Sequence, residues 1–249
     1  MSKPFFLEGI RVLIKPLQET FSTSIPNLEE LRVRWVSSQS DFLPFTLSAA
    51  GLPNLRRLTI SCMVLTESSM DLPPNLEYIR LDRCLTQPDQ WPPLKLPNLH
   101  SIILEDSPWV AEFTLRTLLD ASGRALRYLH IGGCCDILID MVLEALIQTT
   151  ASKELRELGL AYVDGFADPH VFTILSNMPE LRVLHIPCSD VTDCAIKAIA
   201  EARLASLKNL GSFQQQRMPN IEQVDIRGCE NLSSDAVDYG RTQGIEIIE

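Results

Sequence analysis

The chain has 249 residues, 22 of them Lys or Arg against 32 Asp or Glu, so its formal charge is −10; 45% of it is hydrophobic and 22% charged. These fractions belong to an ordinary folded protein and exclude wholesale disorder, and a pI near 4.9 argues against nucleic acid as the partner, because the overall charge opposes the phosphate field. The longest apolar runs break well short of the roughly 18 residues a membrane span needs, and Glu8, Arg11 and Lys15 interrupt the N-terminal stretch where a signal peptide requires an unbroken apolar core.

In chain order the first element is a weak apolar frame, Leu7-Ile10-Val12, preceded by six residues. Eight stronger copies follow: PNLEELRV at Pro26, PNLRRLTI at Pro53, PNLEYIRL at Pro74, PNLHSIIL at Pro97, RALRYLHI at Arg124, KELRELGL at Lys153, PELRVLHI at Pro179 and PNIEQVDI at Pro219. Ile245 and Ile248 make a last weak copy, for about ten rungs. The second and third apolar residues of each phrase stand two apart, the period of a strand with one buried face. Successive phrases begin 21 to 29 residues apart, with one interval of 40. Such intervals require crossovers and therefore parallel strands. A proline two residues before the first apolar position of six phrases stops any helix from running into the strand.

The intervals change character along the chain. Between Leu55 and Leu99 they are short and proline-rich, with Pro88, Pro92 and Pro93 in one of them, and extended or single-turn segments are expected. From about Phe113 the connectors FTLRTLLDA, DMVLEALIQTT, DPHVFTILSN, VTDCAIKAIAEA and SDAVDYGRT read as amphipathic helices. Asp168, Thr192 and Ser234 are the expected N-caps, and Pro169 suits a first helical turn. Helices stacked on one side of a strand array are wider than the strand spacing, so the second half is expected to curve more tightly. The long interval between Leu181 and Ile221 contains an irregular insertion at about 203–217, expected to bulge from the convex side or the rim.

The phrase has the L-x-x-L-x-L form of a leucine-rich repeat. The expected fold is α/β: a right-handed leucine-rich repeat solenoid, or horseshoe, with a curved parallel sheet on the concave face and helices or extended segments on the convex face, in a single domain over 1–249. Cys84, Cys134 and Cys229 each stand eight residues after the first apolar position, where a small buried side chain with a weak donor suits the turn. No C-x-x-C or suitably spaced His accompanies them, so packing rather than metal ligation is expected. Seven cysteines, an odd number, without paired spacing fit reduced thiols in the cytoplasm or nucleus.

With these cysteines and convex phrases such as CSDVTDCAIKAIAEA and GCENLSSDAVDYG, the chain resembles the cysteine-containing leucine-rich repeats of F-box proteins, over nearly its whole length. That resemblance implies the substrate-recognition repeat domain of an SCF-type ubiquitin ligase, acting in ubiquitin-dependent protein catabolism, with Skp and cullin reached only through an F-box. With six residues before the first rung, no F-box is expected within this sequence, and no F-box residue carries over. The alternative is a free-standing repeat adaptor or small-GTPase regulator with no ligase link.

Residues two, four and six places after the first apolar position face away from the core. The partner-binding candidates on this concave face are Arg11, Arg32, Arg34, Trp35, Arg57, Tyr78, Arg80, Arg83, Tyr128, His130 and His185. Arginines gather in the first half. Their forks suit carboxylate or phosphate, so an acidic or phosphorylated protein segment is the expected partner; the competing reading is solvated arginines paired with Glu30 and Asp82. His130 and His185 are two rungs apart and are expected to be two exposed polar residues. None of the P-loop, G-x-G-x-x-G, H-E-x-x-H or G-x-S-x-G signatures occurs. Neither the Cys134-Cys135 pair nor Cys194 has an evident base. No enzyme activity, cofactor or metal is expected, and the chain is expected to be a monomer.

Overall fold

The computed structural model describes residues 5–8, 27–34, 43–45, 52–65, 71–86, 94–107, 112–134, 138–208 and 218–249. Among them are strands β1 (Phe5–Glu8), β2 (Glu30–Arg34), β3 (Leu43–Phe45), β4 (Arg57–Ser61), β5 (Met63–Leu65), β6 (Tyr78–Asp82), β7 (Leu85–Thr86), β8 (Ser101–Glu105), β9 (Tyr128–Gly132), β10 (Glu157–Ala161), β11 (Val183–His185), β12 (Gln223–Asp225) and β13 (Glu246–Ile248). Ten of these form one open sheet in the order β1-β2-β4-β6-β8-β9-β10-β11-β12-β13, and every pairing in it is parallel. β3, β5 and β7 form a second parallel sheet. The fold is therefore mixed α/β, and strands laid down in chain order are compatible with a solenoid.

The register follows the apolar frame. Leu31, Leu58, Ile79, Ile102, Leu129, Leu158, Leu184 and Val224 align across the large sheet and are all buried. They belong to one continuous hydrophobic cluster running from Leu28 to Ile247. Each such side chain contributes about 1.5–3 kcal/mol relative to exposure.

Both weak end copies are shifted from their expected frames. β1 pairs with β2 so that Leu7 stands beside Val33, the place the expected frame gives to its third apolar residue; Ile10 and Val12 lie outside the described residues. At the other end Ile247, not Ile248, is in register with Val224 and buried, and Ile245 lies one place beyond the first apolar position of its phrase. A strand terminating the series pairs on one side alone, so fewer neighbours fix its frame.

The connectors of the first half include the extended β5 and β7, the second of them in the proline-rich interval before Leu99. In the second half they are helices: α1 (Glu112–Ser122), α2 (Ile139–Gln148), α3 (Asp168–Asn177), α4 (Asp193–Lys208) and α5 (Ser234–Thr242). Their buried residues, such as Val142, Leu143 and Leu146 of α2 and Ile196, Ile199 and Ala200 of α4, recur at helical spacing. α4 runs on to Lys208, so the first part of the expected insertion is helix; residues 209–217 lie outside the described set.

Two of the expected caps move. Ser233, not Ser234, caps α5, its hydroxyl accepting from the Ala236 N–H at 3.3 Å. Ala167 is the N-cap of α3, whose first residue is Asp168. Here the His170 Nδ1 accepts from the Ala167 N–H at 3.0 Å. Asp168 instead ties this helix to the next connector: its carboxylate accepts from the Thr192 N–H at 2.7 Å and the Thr192 hydroxyl at 2.6 Å. Asp193 does the same one repeat later, accepting from the Ser233 N–H at 2.8 Å and its hydroxyl at 2.7 Å, and these bonds hold its carboxyl below the usual carboxylate range. Thr192 remains an N-cap, its hydroxyl accepting from the Cys194 N–H at 3.3 Å.

Among the described residues a left-handed residue ends seven rungs, seven places after the first apolar position: Cys62, Arg83, Asp106, Gly133, Tyr162, Cys188 and Gly228, with φ between 45° and 73°. Five of their N–H groups donate to the carbonyl at the matching end of the next strand, Cys62 to Asp82, Arg83 to Glu105, Asp106 to Gly132, Gly133 to Ala161 and Cys188 to Arg227, at 2.8–3.0 Å. The eighth place then turns inward. Cys84 donates to the Ile60 and Asp82 carbonyls at 3.4 and 3.5 Å, and burial pushes its thiol up to about 12. Ser107 and Ser189 hold the same place, their hydroxyls donating to Glu105 and Ile186 at 2.8 Å. Cysteine or serine at this place donates to a buried carbonyl in five rungs, whereas Met63 and Val163 fill the same place with buried apolar side chains, so burial is common to the turn and the donor is not.

Candidate functional site

The side chains alternating with the buried ones line the open face of the large sheet. Along one row stand Arg32, Thr59, Arg80, Ile103, His130, Gly159, His185 and Asp225; along the row before it stand Glu30, Arg57, Tyr78, Ser101, Tyr128, Glu157, Val183 and Gln223. Arg34 follows Arg32 at the end of β2, and Arg83 occupies the left-handed place after β6. Arg11 and Trp35 lie outside the described residues.

Among the described residues, Arg32, Arg57, Arg80 and Arg83 of the first half are engaged. Arg32 meets Glu30 of its own strand at 2.6 Å, Arg80 pairs with Glu105 across the β6–β8 boundary, and Arg83 Nε is 3.5 Å from Asp106 and 3.8 Å from Asp82. The Arg57 guanidinium lies 4.6 Å over the Tyr78 ring. Exposed pairs of this kind are worth under about 1 kcal/mol.

The second half of the face holds a groove of about 620 Å³ lined by Tyr128, His130, Glu157, Ala161, Tyr162, His185, Pro187, Cys188, Asp225, Arg227 and Gly228. Three of the expected residues, Tyr128, His130 and His185, meet there. The histidines are not freely exposed, since their side chains are 20% and 21% accessible. The rung between them presents Gly159, and the His130 ring lies across it, with Nδ1 2.2 Å from where a Cβ would stand. Strand spacing keeps the two backbones apart, but no side chain fills the gap.

The polar groups form a chain. His185 Nε2 is 3.0 Å from Glu157 Oε1, and its Nδ1 is 3.5 Å from Asp225 Oδ2. Arg227 donates from Nε and Nη2 to the two oxygens of buried Asp225, at 2.9 and 2.7 Å. These bonds, the Arg227 side chain first, hold the Asp225 carboxyl below its ordinary range. Burial lowers His130, helped by His185 and Arg80. Burial also raises Tyr128, with Glu157 adding to it. Tyr162 is raised by its hydrogen bond with Cys188. Among the described residues no cluster of three or more His, Cys, Asp or Glu side chains could hold a metal ion, and no helix is long and apolar enough to cross a membrane.

Sequence reasoning located the tyrosine and the two histidines but not the groove. The available signal was Gly132, Gly159 and Ala161, small residues at face positions where other rungs carry long side chains.

No family model matches the chain. The chain is similar to the F-box/TPR repeat protein pof3 of Schizosaccharomyces pombe, with 30% identity over 91 residues that cover 32% of this chain and 16% of that protein. The likeness is thus to a repeat protein whose name includes an F-box, it spans under a fifth of that protein's length, and it is consistent with a role in protein interaction.

Proposed function

We propose that this chain is a leucine-rich repeat horseshoe that binds a protein segment on its concave face and supplies substrate recognition to an SCF-type ubiquitin ligase. The observation that carries the reading is the open face itself. Ten parallel strands in chain order present a broad surface of arginines, tyrosines and histidines over a continuous hydrophobic core, the arrangement repeat proteins use for extended binding surfaces. Likeness to a protein named for an F-box and repeats supports the ligase connection, with Skp and cullin engaged through an F-box. The first half of the face, with Arg32, Arg34, Arg57, Arg80 and Arg83, suits an acidic or phosphorylated segment, and Tyr78 offers a rigid aromatic contact.

The test is affinity capture of the tagged chain from its own cells with mass spectrometry, beside the triple variant Arg32→Glu, Arg34→Glu, Arg80→Glu. Recovery of Skp or cullin, with a partner lost in the variant, is the expected result. A partner captured without ligase subunits makes the chain a free-standing adaptor, and capture unchanged by the triple reversal removes the arginines from the site.

A further inference from the structure

Charge is distributed unevenly over the open face. From β2 to the turn after β6 the face carries Arg32, Arg34, Arg57, Arg80 and Arg83 against Glu30 and Asp82. From β8 to β13 it carries Glu105, Asp106, Glu157, Asp225 and Glu246 against Arg227. The sign changes where Arg80 reaches across to Glu105. The groove lies wholly in the acidic half.

Its two carboxylates are not equivalent. Asp225 is buried and both its oxygens accept from Arg227. Glu157 is a third exposed, its partner is the imidazole of His185, and among the described residues no lysine or arginine pairs with it. His130 brings no compensating charge at neutral pH, because its burial favours the uncharged ring. Tyr128 and Tyr162 line the same space, and aromatic rings of this kind attract a cation over their faces.

We infer that the groove receives a cationic side chain, arginine or lysine, from the bound protein segment, with Glu157 as its carboxylate and the Tyr128 and Tyr162 rings as its walls. This rests on the reading that the open face binds a protein segment, and it adds direction to that reading: the acidic end of the segment lies over β2–β6 and the basic end over β9–β12. An extended segment laid the other way meets like charge at both ends.

The experiment titrates the isotope-labelled protein with N-acetyl-arginine amide and N-acetyl-lysine amide and follows the ring resonances of His130 and His185 by NMR. Saturable shifts with at least one of the two are expected, with the uncharged isostere N-acetyl-citrulline amide weaker by roughly tenfold or more. Glu157→Gln keeps the shape of a partly exposed side chain and is expected to weaken the cation by a similar factor without moving the unfolding midpoint. No saturable shift, an equal response to the citrulline amide, preference for N-acetyl-aspartate amide, or indifference to Glu157→Gln overturns the inference. The probe is a single amino-acid amide, so its binding is read independently of whether cells yield a ligase subunit or an acidic partner.

Discussion

The imidazole of His130 rests on the bare backbone of Gly159: a Cβ at that glycine would stand 2.2 Å from Nδ1 and 3.0 Å from Cε1 and Cγ. The two residues are neighbours on β9 and β10, so the floor of the groove depends on a glycine in mid-strand, where glycine is otherwise unfavourable.

Gly159→Ala therefore forces the ring away. The expected cost is about 1–2 kcal/mol from overpacking, seen as a lower urea midpoint at unchanged slope. The displaced ring gains water, so its proton affinity rises toward that of an ordinary histidine, which an NMR pH titration of His130 reads directly. A variant with the wild-type midpoint and an unmoved His130 titration shows that the ring does not depend on the glycine.

The same burial makes stability depend on pH. Because the folded state disfavours the charged imidazole, the unfolded chain binds that proton at the higher pH. The stabilisation is complete above the ordinary histidine value near 6.5 and is lost as pH falls through the lower folded-state value. Asp225, also lowered, contributes stability that is present above the ordinary carboxylate value of 3.8 and lost at more acid pH. Urea unfolding should weaken in two separate steps on acidification, with His130→Gln flattening the upper step and Asp225→Asn reducing the lower, to which Asp193, also lowered, contributes the rest. An upper step that survives His130→Gln assigns it to another group.

Much of this arrangement can be read in the sequence, and what cannot has a physical reason. The frame of eight phrases fixes eight central strands because each is constrained on both sides by its neighbours, as Leu129 is between Ile102 and Leu158. At β1 and β13 one of those constraints is missing, and apolar residues at Leu7, Ile245 and Ile248 fit more than one frame. Proline content separated extended connectors from helices, but the caps depend on neighbours distant in sequence: Asp168 is drawn to Thr192, leaving the cap to Ala167. His130 and His185 were legible as face residues. Their meeting was not, because it depends on what Gly159 lacks.

The column of left-handed residues makes a further contrast. Gly133 has φ +63°, and an added Cβ would meet Asp106 Oδ1 at 2.3 Å, so Gly133→Ala is expected to cost about 1–2 kcal/mol from the left-handed backbone together with the clash. Cys62 holds the equivalent place with φ 58° as a non-glycine residue. Its replacement by glycine relieves the backbone and should leave the unfolding midpoint unchanged or slightly raised. Equal losses in both variants show that side-chain packing, not backbone conformation, governs these turns.

Cysteine chemistry should divide along the same turn. Cys84 and Cys134 are fully buried in the eighth place, and the Cys84 thiol, pushed up to about 12, stays protonated at neutral pH and is a poor nucleophile. Cys188 and Cys194 are exposed. Under native conditions iodoacetamide should therefore modify Cys188 and Cys194 early, while Cys84 and Cys134 become labelled only as fast as the repeat array opens, a difference that peptide mapping by mass spectrometry resolves. Adding urea below the unfolding midpoint should accelerate Cys84 and Cys134 together, because both are locked by neighbouring rungs of one continuous core. Labelling of Cys84 at the Cys188 rate in the native protein shows instead that the turn opens locally, without its bonds to the Ile60 and Asp82 carbonyls holding it shut.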